Sequence, residues 1–198
     1  KNKRVLSNIV LNSSWPRSKL YKNDSKIKKS VKKFVGEGID VLYIIGTIEK
    51  KTDIKRIFFI YGDCFVSDTN HYIADYKKIS NLIKNSISEL PYGSNEETNE
   101  LGRLNNIDLL QRTNLRIRGM YELISPSKAF EDFIPDFNNK NFDMILVLNR
   151  SKYNEIDIED RKELENFNSS SLKIDDIKFP DPNNLKKYLD FKLIYYSN

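Results

Sequence analysis

Residues 39–66 read IDVLYIIGTIEKKTDIKRIFFIYGDCFV, in which two runs of β-branched and aromatic residues flank the polar segment EKKTDIK. Runs of this composition are typical of β-strands, and a short polar segment between two of them indicates a hairpin. Both runs are almost continuously apolar, as in strands that are shielded on both faces of a sheet. We therefore expect a long β-hairpin, at about residues 39–66, in the middle of a central sheet.

The segments around this hairpin show mainly helical spacing of their apolar residues. Predicted helices cover residues 24–35, 68–90, 100–124 (as one helix or two) and 157–167. Residues 142–149 predict a strand, and residues 168–183 predict a loop with one possible strand at Leu172–Ile177. Residues 183–196 leave helix, strand or one running into the other open. The sequence therefore predicts a single α+β domain over residues 1–198, with a central sheet that is built on the long hairpin and flanked by helices.

The composition limits the class of protein. Hydrophobic residues make up 39% of the 198 residues and charged residues 31%, which is the balance of an ordinary folded domain. With one cysteine, Cys64, and one histidine, His71, the chain offers neither an internal disulfide nor a zinc site of His and Cys ligands. It shows no signal-peptide pattern at Lys1 and no apolar run of the roughly 18–20 residues that span a bilayer. We therefore expect an intracellular protein without a membrane partner, in the cytoplasm or, if the protein is viral, in the host cytoplasm or nucleus.

The chain lacks an initiator methionine, which suggests a domain taken from a longer protein. Its charge is unevenly distributed: residues 1–60 carry 15 Lys and Arg against 5 Asp and Glu, and residues 131–198 carry 10 against 14. Part of the lysine content fits the codon bias of an AT-rich genome. The polarity along the chain nevertheless indicates that any surface for an anionic partner belongs to the N-terminal third.

Within that third, the lysines of the predicted basic helix are the first candidates for binding DNA or RNA. They are Lys26, Lys28, Lys29, Lys32 and Lys33. Lysines in such a cluster neutralise phosphates with little dependence on base sequence, and the resulting binding is sensitive to salt. The alternative is a solvated helix face that serves only solubility.

A second candidate group consists of the arginines Arg112, Arg116 and Arg118. The guanidinium group is a rigid fork that suits phosphate. On the predicted helix, Arg112 and Arg116 lie one turn apart and are placed to bind one anion together. The alternative is that these arginines pair with neighbouring acids, among which is Glu100.

The order helix, long hairpin, helix and later strand is compatible with the core of the PD-(D/E)xK nucleases, in which acidic residues on adjacent strands hold Mg²⁺ and a lysine assists the attacking water. Asp40 and Asp63 lie at the same end of the predicted hairpin and are the candidate metal pair. The string Glu49-Lys50-Lys51 lies about 30 Å from Asp40 along an extended strand. The second strand lacks the lysine of the full signature, and both acids also suit strand ends without a metal.

These observations predict a domain that binds DNA or RNA through its basic N-terminal third, in a viral, mobile-element or defence protein. One alternative is a Mg²⁺-dependent nuclease that uses Asp40 and Asp63. Another is a non-catalytic module that binds protein partners in a larger assembly, through its acidic C-terminal part and its apolar strands.

Overall fold

The computed structural model describes residues 8–12, 14–49, 53–90, 100–135, 142–167 and 171–198. The strands are β1 (Ile9–Asn12), β2 (Lys19–Leu20), β3 (Ile39–Asp40), β4 (Leu42–Glu49), β5 (Asp53–Tyr61), β6 (Gly102–Leu104), β7 (Leu115–Ile117), β8 (Met120–Leu123), β9 (Asp143–Asn149), β10 (Leu172–Asp181) and β11 (Asn184–Ser197). The α-helices are α1 (Lys29–Lys32), α2 (Thr69–Ser88), α3 (Pro126–Ala129), α4 (Arg150–Glu155) and α5 (Ile158–Asn166). Among the described helices, none has the length and apolar character needed to cross a membrane.

The central sheet has five strands in the order β10-β11-β9-β5-β4. Two hairpins, β4-β5 and β10-β11, form its two sides, and β9 joins them. β9 pairs antiparallel with β11 but parallel with β5. The mixed α+β class with a central sheet is therefore confirmed, and the small two-stranded pairs β1-β8, β2-β3 and β6-β7 lie outside this sheet.

The main core lies on one face of the sheet. Alternate residues of β5, β9 and β11 point to this face, because successive side chains of a strand point to opposite sides. Phe130 and Ile134, which follow α3, pack against them. The buried residues contributed by the three strands are Phe58, Ile60, Ile145, Val147, Phe191 and Leu193. On the opposite face, α4 and α5 cover a smaller cluster around Leu148, Tyr153 and Ile194.

The predicted hairpin is present, but its first strand is not in the middle of the sheet. β4 is an edge strand, and the side chains of Ile44 and Ile48 are 63% and 60% exposed. β5, in contrast, is shielded on both faces along most of its length. The prediction that both strands are covered is therefore wrong for β4, because a run of apolar residues does not reveal whether a strand has one neighbour or two.

A buried ion pair fastens the parallel pair β5-β9. Arg56 donates to Asp143 from Nε at 2.9 Å and from a terminal nitrogen at 2.5 Å, and both side chains are almost completely buried. The second carboxylate oxygen of Asp143 accepts hydrogen bonds from the hydroxyls of Tyr195 and Ser197 in β11. One carboxylate thus connects three adjacent strands.

The basic helix predicted over residues 24–35 is reduced to one turn, α1. Asp24, the first residue of the predicted helix, is completely buried and accepts hydrogen bonds from Trp15, Arg17 and the backbone amide of Lys26. These bonds fix a loop where the helix was expected to begin. Val35 is buried, whereas Phe34 is 79% exposed, so the expected apolar helix face does not form.

The helix predicted over residues 100–124 is wrong, since this segment forms β6, β7 and β8. Asn106 and Gln111 adopt positive φ angles of 54° and 56°, which are incompatible with a right-handed helix. The loop between β6 and β7 is closed by the Asn114 side chain, which accepts a hydrogen bond from the Asn106 amide. The segment whose apolar residues recur at helical steps therefore forms three short strands instead of a helix.

The other elements agree better with the sequence. α2 begins after Asp68, whose side chain accepts a hydrogen bond from the Asn70 amide. β9 and α5 match the strand and acidic helix predicted at residues 142–149 and 157–167. The C-terminal segment, for which strand and helix stayed open, forms the long hairpin β10-β11. The loop predicted at residues 91–99 lies outside the described residues.

Candidate functional site

Asp40 and Asp63 lie at the same end of the β4-β5 hairpin. The regular pairing ends at Leu42 and Tyr61, and the Gly62 amide extends it by donating to the Val41 carbonyl at 2.7 Å. Asp40 precedes this point in β3, which pairs with β2 and not with β5. Asp63 follows it in a short 3₁₀ turn, Gly62–Cys64. The predicted placement is therefore right in outline, although the two residues do not face each other in one ladder.

The two carboxylates belong to separate side-chain networks. Asp40 forms ion pairs with Lys19 at 3.4 Å and Lys152 at 3.1 Å. Burial by itself raises the pKa of Asp40, but the hydrogen bond and charge of Lys152, together with the charge of Lys19, lower it below its ordinary value. Asp63 accepts hydrogen bonds from the amide nitrogen of Asn149 and the thiol of Cys64.

Asn149 and Lys152 connect these networks. Asn149 caps α4 by accepting a hydrogen bond from the Lys152 amide, while its side-chain nitrogen contacts Asp63. The Lys152 ammonium group contacts Glu155 at 2.9 Å and reaches Asp40 on its other side. Hydrogen bonds to Glu155 and Asp40 raise the pKa of Lys152, so this residue is a cation at neutral pH and does not accept a proton.

Among the described residues, no group of three or more His, Cys, Asp or Glu side chains is placed to hold a metal ion. Asp40 already forms ion pairs with two lysines, which would compete with Mg²⁺ for its carboxylate. The assignment of Mg²⁺ to Asp40 and Asp63 stays a prediction. Lys50 and Lys51 of the Glu49-Lys50-Lys51 string lie outside the described residues.

A second polar site is a cavity of about 370 Å³, which we call the Glu100 pocket. It lies between the loop before α1, the helix α2 and the β6-β7 pair. Its lining residues are Ser25, Lys26, Tyr76, Glu100, Arg116, Arg118 and Gly119. Three cations thus share one pocket with one carboxylate.

Glu100 holds two arginines in this pocket. Its Oε1 accepts hydrogen bonds from the Nε atoms of both Arg116 and Arg118, the latter at 3.1 Å. Although burial by itself raises the pKa of Glu100, the bonds from the two arginines lower it, so that Glu100 is ionised. Glu100 is buried, whereas the arginine side chains are 54% and 47% exposed.

Lys26 enters the same pocket between two aromatic rings. Its ammonium nitrogen lies 4.3 Å from the centre of the Trp15 ring and 4.1 Å from that of Tyr76, and the two rings are themselves in contact. The rings attract the cation and restrict its position. Burial and the nearby Arg17 lower the pKa of Lys26, against the opposing effect of Asp24.

The remaining candidate residues are not brought into this pocket. Lys28, Lys29 and Lys33 are exposed around α1, and Lys32 is half-buried. Arg112 is exposed in the β6-β7 loop, where its backbone amide donates to Asp108. Because that segment is not helical, the predicted spacing of Arg112 and Arg116 by one helical turn is wrong, and their joint binding of an anion stays a prediction. The alternative pairing with acids is confirmed for Arg116 and Arg118, which both bind Glu100.

Tyr76, Asn149 and Lys152 are among the residues of these sites that the sequence does not mark as functional. Tyr76 lies at the same helical spacing as the apolar residues of α2, so the sequence does not mark it as a functional residue. Asn149 and Lys152 follow a strand whose parallel pairing with β5 brings them to Asp63 and Asp40, and that pairing spans almost ninety intervening residues of sequence. Local patterns contain no information about such a juxtaposition.

Comparison with known proteins assigns the chain to a family. Residues 1–180 match the family described as NgoPII restriction endonuclease. The chain is 36% identical over 191 residues to the type II restriction enzyme NgoPII of Neisseria gonorrhoeae, a match that covers 96% of the chain and 66% of the relative. The chain thus spans slightly less than two thirds of this relative. No solved structure matches the chain, so the nuclease-like order of its elements stays a prediction. By the extent of the family match, the chain belongs to the NgoPII restriction endonuclease family.

Proposed function

We propose that the protein takes part in endonucleolytic cleavage of DNA. The observation that supports this most directly is the family match, which extends over residues 1–180. It favours the two nucleic-acid hypotheses over a non-catalytic module for protein partners, and it favours DNA over RNA. The cations around α1 and in the Glu100 pocket agree with a phosphate-rich substrate.

Hydrolysis of a phosphodiester adds water to phosphorus and breaks a P–O bond, while negative charge increases on the phosphate oxygens. Fixed cations stabilise that charge. At the end of the hairpin, Lys152 is such a cation, held between Asp40 and Glu155. Asp40 and Asp63 remain our proposed metal pair. We derive no step through a metal, because both carboxylates already contact other side chains.

We expect Asp40→Asn and Asp63→Asn each to reduce cleavage of a mixed-sequence plasmid by at least about 100-fold if these carboxylates hold an essential cation, since such an ion contributes several kcal/mol to catalysis. The assay measures loss of supercoiled DNA in Mg²⁺ and in EDTA. Asp53→Asn is the matched control, because Asp53 is an exposed acid that contacts Lys55 in the same strand, β5. If both test variants cleave as well as this control, the pair has no catalytic role.

The lysines around α1 are tested separately. Changing Lys28, Lys29, Lys32 and Lys33 to Glu should weaken binding to a duplex and make the salt dependence of the binding constant less steep, by roughly one unit of log–log slope for each phosphate that these lysines neutralise. Fluorescence anisotropy over a salt series measures both quantities. The control changes Lys162, Lys178, Lys186 and Lys187, which are exposed in the C-terminal part, to Glu. Equal effects of the two sets would show that only net charge matters.

A further inference from the structure

The Glu100 pocket combines features of a phosphate site that is ordered before its ligand arrives. Among the described residues that line it, three cations, Lys26, Arg116 and Arg118, accompany one carboxylate, which gives these residues a net charge of +2. Its volume of about 370 Å³ is ample for a phosphodiester group. The loop that carries Lys26 is distant in sequence from Arg116 in β7 and from Arg118 directly after β7, and all three residues line the same cavity.

The arginines are held in a way that favours an additional ligand. Their contacts with Glu100 run through Nε, at the inner side of each guanidinium group. The terminal nitrogens of such a fork lie on the side away from Nε and provide the donor pair that suits phosphate oxygens. Glu100 is buried, whereas each arginine side chain is about half-exposed, so solvent reaches part of each arginine although its Nε binds a buried carboxylate.

Lys26 is positioned by the rings of Trp15 and Tyr76. Trp15 is itself fixed, because its Nε1 donates to the buried Asp24 and its ring packs on Tyr76. A lysine confined by two rings loses less conformational freedom on binding an anion than a lysine on an open surface. Two separate supports therefore hold the three cations around one cavity.

We propose that the Glu100 pocket binds a backbone phosphate of DNA, with Arg116, Arg118 and Lys26 as its donors and Glu100 as the residue that positions both arginines. This inference rests on the proposed action on DNA, and it names the phosphate contact that anchors the duplex. Contacts of this kind set the register of a protein on DNA and do not depend on base sequence.

The test measures binding of a labelled 20-base-pair duplex of mixed sequence by fluorescence anisotropy, in EDTA and over a series of salt concentrations. The double variant Arg116→Ala/Arg118→Ala should bind on the order of tenfold more weakly at low salt and show a salt slope smaller by about one. Lys186→Ala/Lys187→Ala removes the same charge from exposed sites in β11 and is the control. Equally weakened binding in the two double variants would overturn the proposal.

The variant Glu100→Gln tests the positioning role of Glu100, because electrostatic attraction alone and positioning predict opposite changes in the affinity for DNA. Removing this negative charge should strengthen binding if only electrostatic attraction matters. It should weaken binding if the carboxylate orders the arginines, because an amide oxygen is a poorer acceptor for two guanidinium groups. Tighter binding by a folded Glu100→Gln protein would exclude the positioning role, and if this variant does not fold, the arginine double variant still decides the phosphate site.

Plasmid cleavage, measured alongside binding, distinguishes failure of the pocket proposal from failure of the proposed function. If the wild-type protein cleaves plasmid DNA while Arg116→Ala/Arg118→Ala binds and cleaves as the control does, the pocket proposal fails and the function stands. If the wild-type protein neither binds nor cleaves DNA, both fail. An RNA duplex of the same sequence is the comparison ligand, and a preference for RNA that depends on the arginines would overturn the assignment to DNA.

Discussion

Replacing Asp143 by alanine is expected to lower the free energy of unfolding by about 3–5 kcal/mol, because it removes the carboxylate of a buried ion pair. Arg56 is 1% exposed and donates twice to Asp143. The same carboxylate also accepts hydrogen bonds from Tyr195 and Ser197, so the variant removes an acceptor from two further side chains. Urea unfolding followed by circular dichroism measures the decrease in stability.

Two further variants test whether the loss of stability is specific to the buried pair Arg56 and Asp143. Asp190→Ala removes an exposed acid from β11 and should change stability by less than about 0.5 kcal/mol. The double variant Arg56→Met/Asp143→Leu removes both charges and should recover a large part of the stability, since apolar residues of similar volume often replace a buried ion pair without cost. A decrease below about 1 kcal/mol in Asp143→Ala would contradict the assigned role of this pair.

Gly62→Ala is expected to destabilise the fold by about 3 kcal/mol, at the upper end of the range for overpacking. A Cβ atom at this position would lie 2.5 Å from the Ser18 carbonyl oxygen and 2.7 Å from that of Arg17. Both obstacles are backbone atoms, which cannot rotate away as the end of a side chain can. The methyl group would therefore push the segment before β2 away from the end of the β4-β5 hairpin.

Gly36→Ala is the matched control, because no atom of the described residues, apart from Gly36 and its two chain neighbours, lies within 4 Å of the Cβ position there. There the added methyl group restricts the unfolded chain and should be neutral or slightly stabilising, by up to about 1 kcal/mol. Thermal melts of both variants give the comparison. Equal melting temperatures would mean that the close approach at Gly62 relaxes without cost.

The sequence predicted those parts of the fold in which local pattern and tertiary environment agree. The β4-β5 hairpin and α2 carry composition, capping and periodicity that all favour one structure. In residues 100–124 the signals conflict. The apolar residues recur at helical steps, but Asn106 and Gln111 adopt left-handed conformations in the loop between strands. In this segment the tertiary pairing of short strands overrides the periodicity.

In the candidate sites, too, contacts between residues close in sequence could be predicted, whereas contacts that depend on tertiary packing could not. Glu100 is one of the neighbouring acids considered as partners for the arginines, and the prediction of such a pairing is confirmed. The pocket itself could not be predicted, because Lys26 lies some ninety residues before Arg116 and reaches it only through the packing of α2 and Trp15. Lys152 reaches Asp40 through the parallel pairing of β5 and β9, which no local pattern encodes.

That parallel pairing also has a consequence for the order in which the chain acquires its structure. The hairpins β4-β5 and β10-β11 join residues close in sequence and can close early, whereas Arg56 and Asp143 are separated by 87 residues. Closing so long a loop has an entropic cost before any contact compensates it, and such topologies fold slowly. We therefore expect refolding to be limited by the docking of β9 between two hairpins that have already formed, and nascent chains that end before residue 143 to expose the unpaired edge of β5.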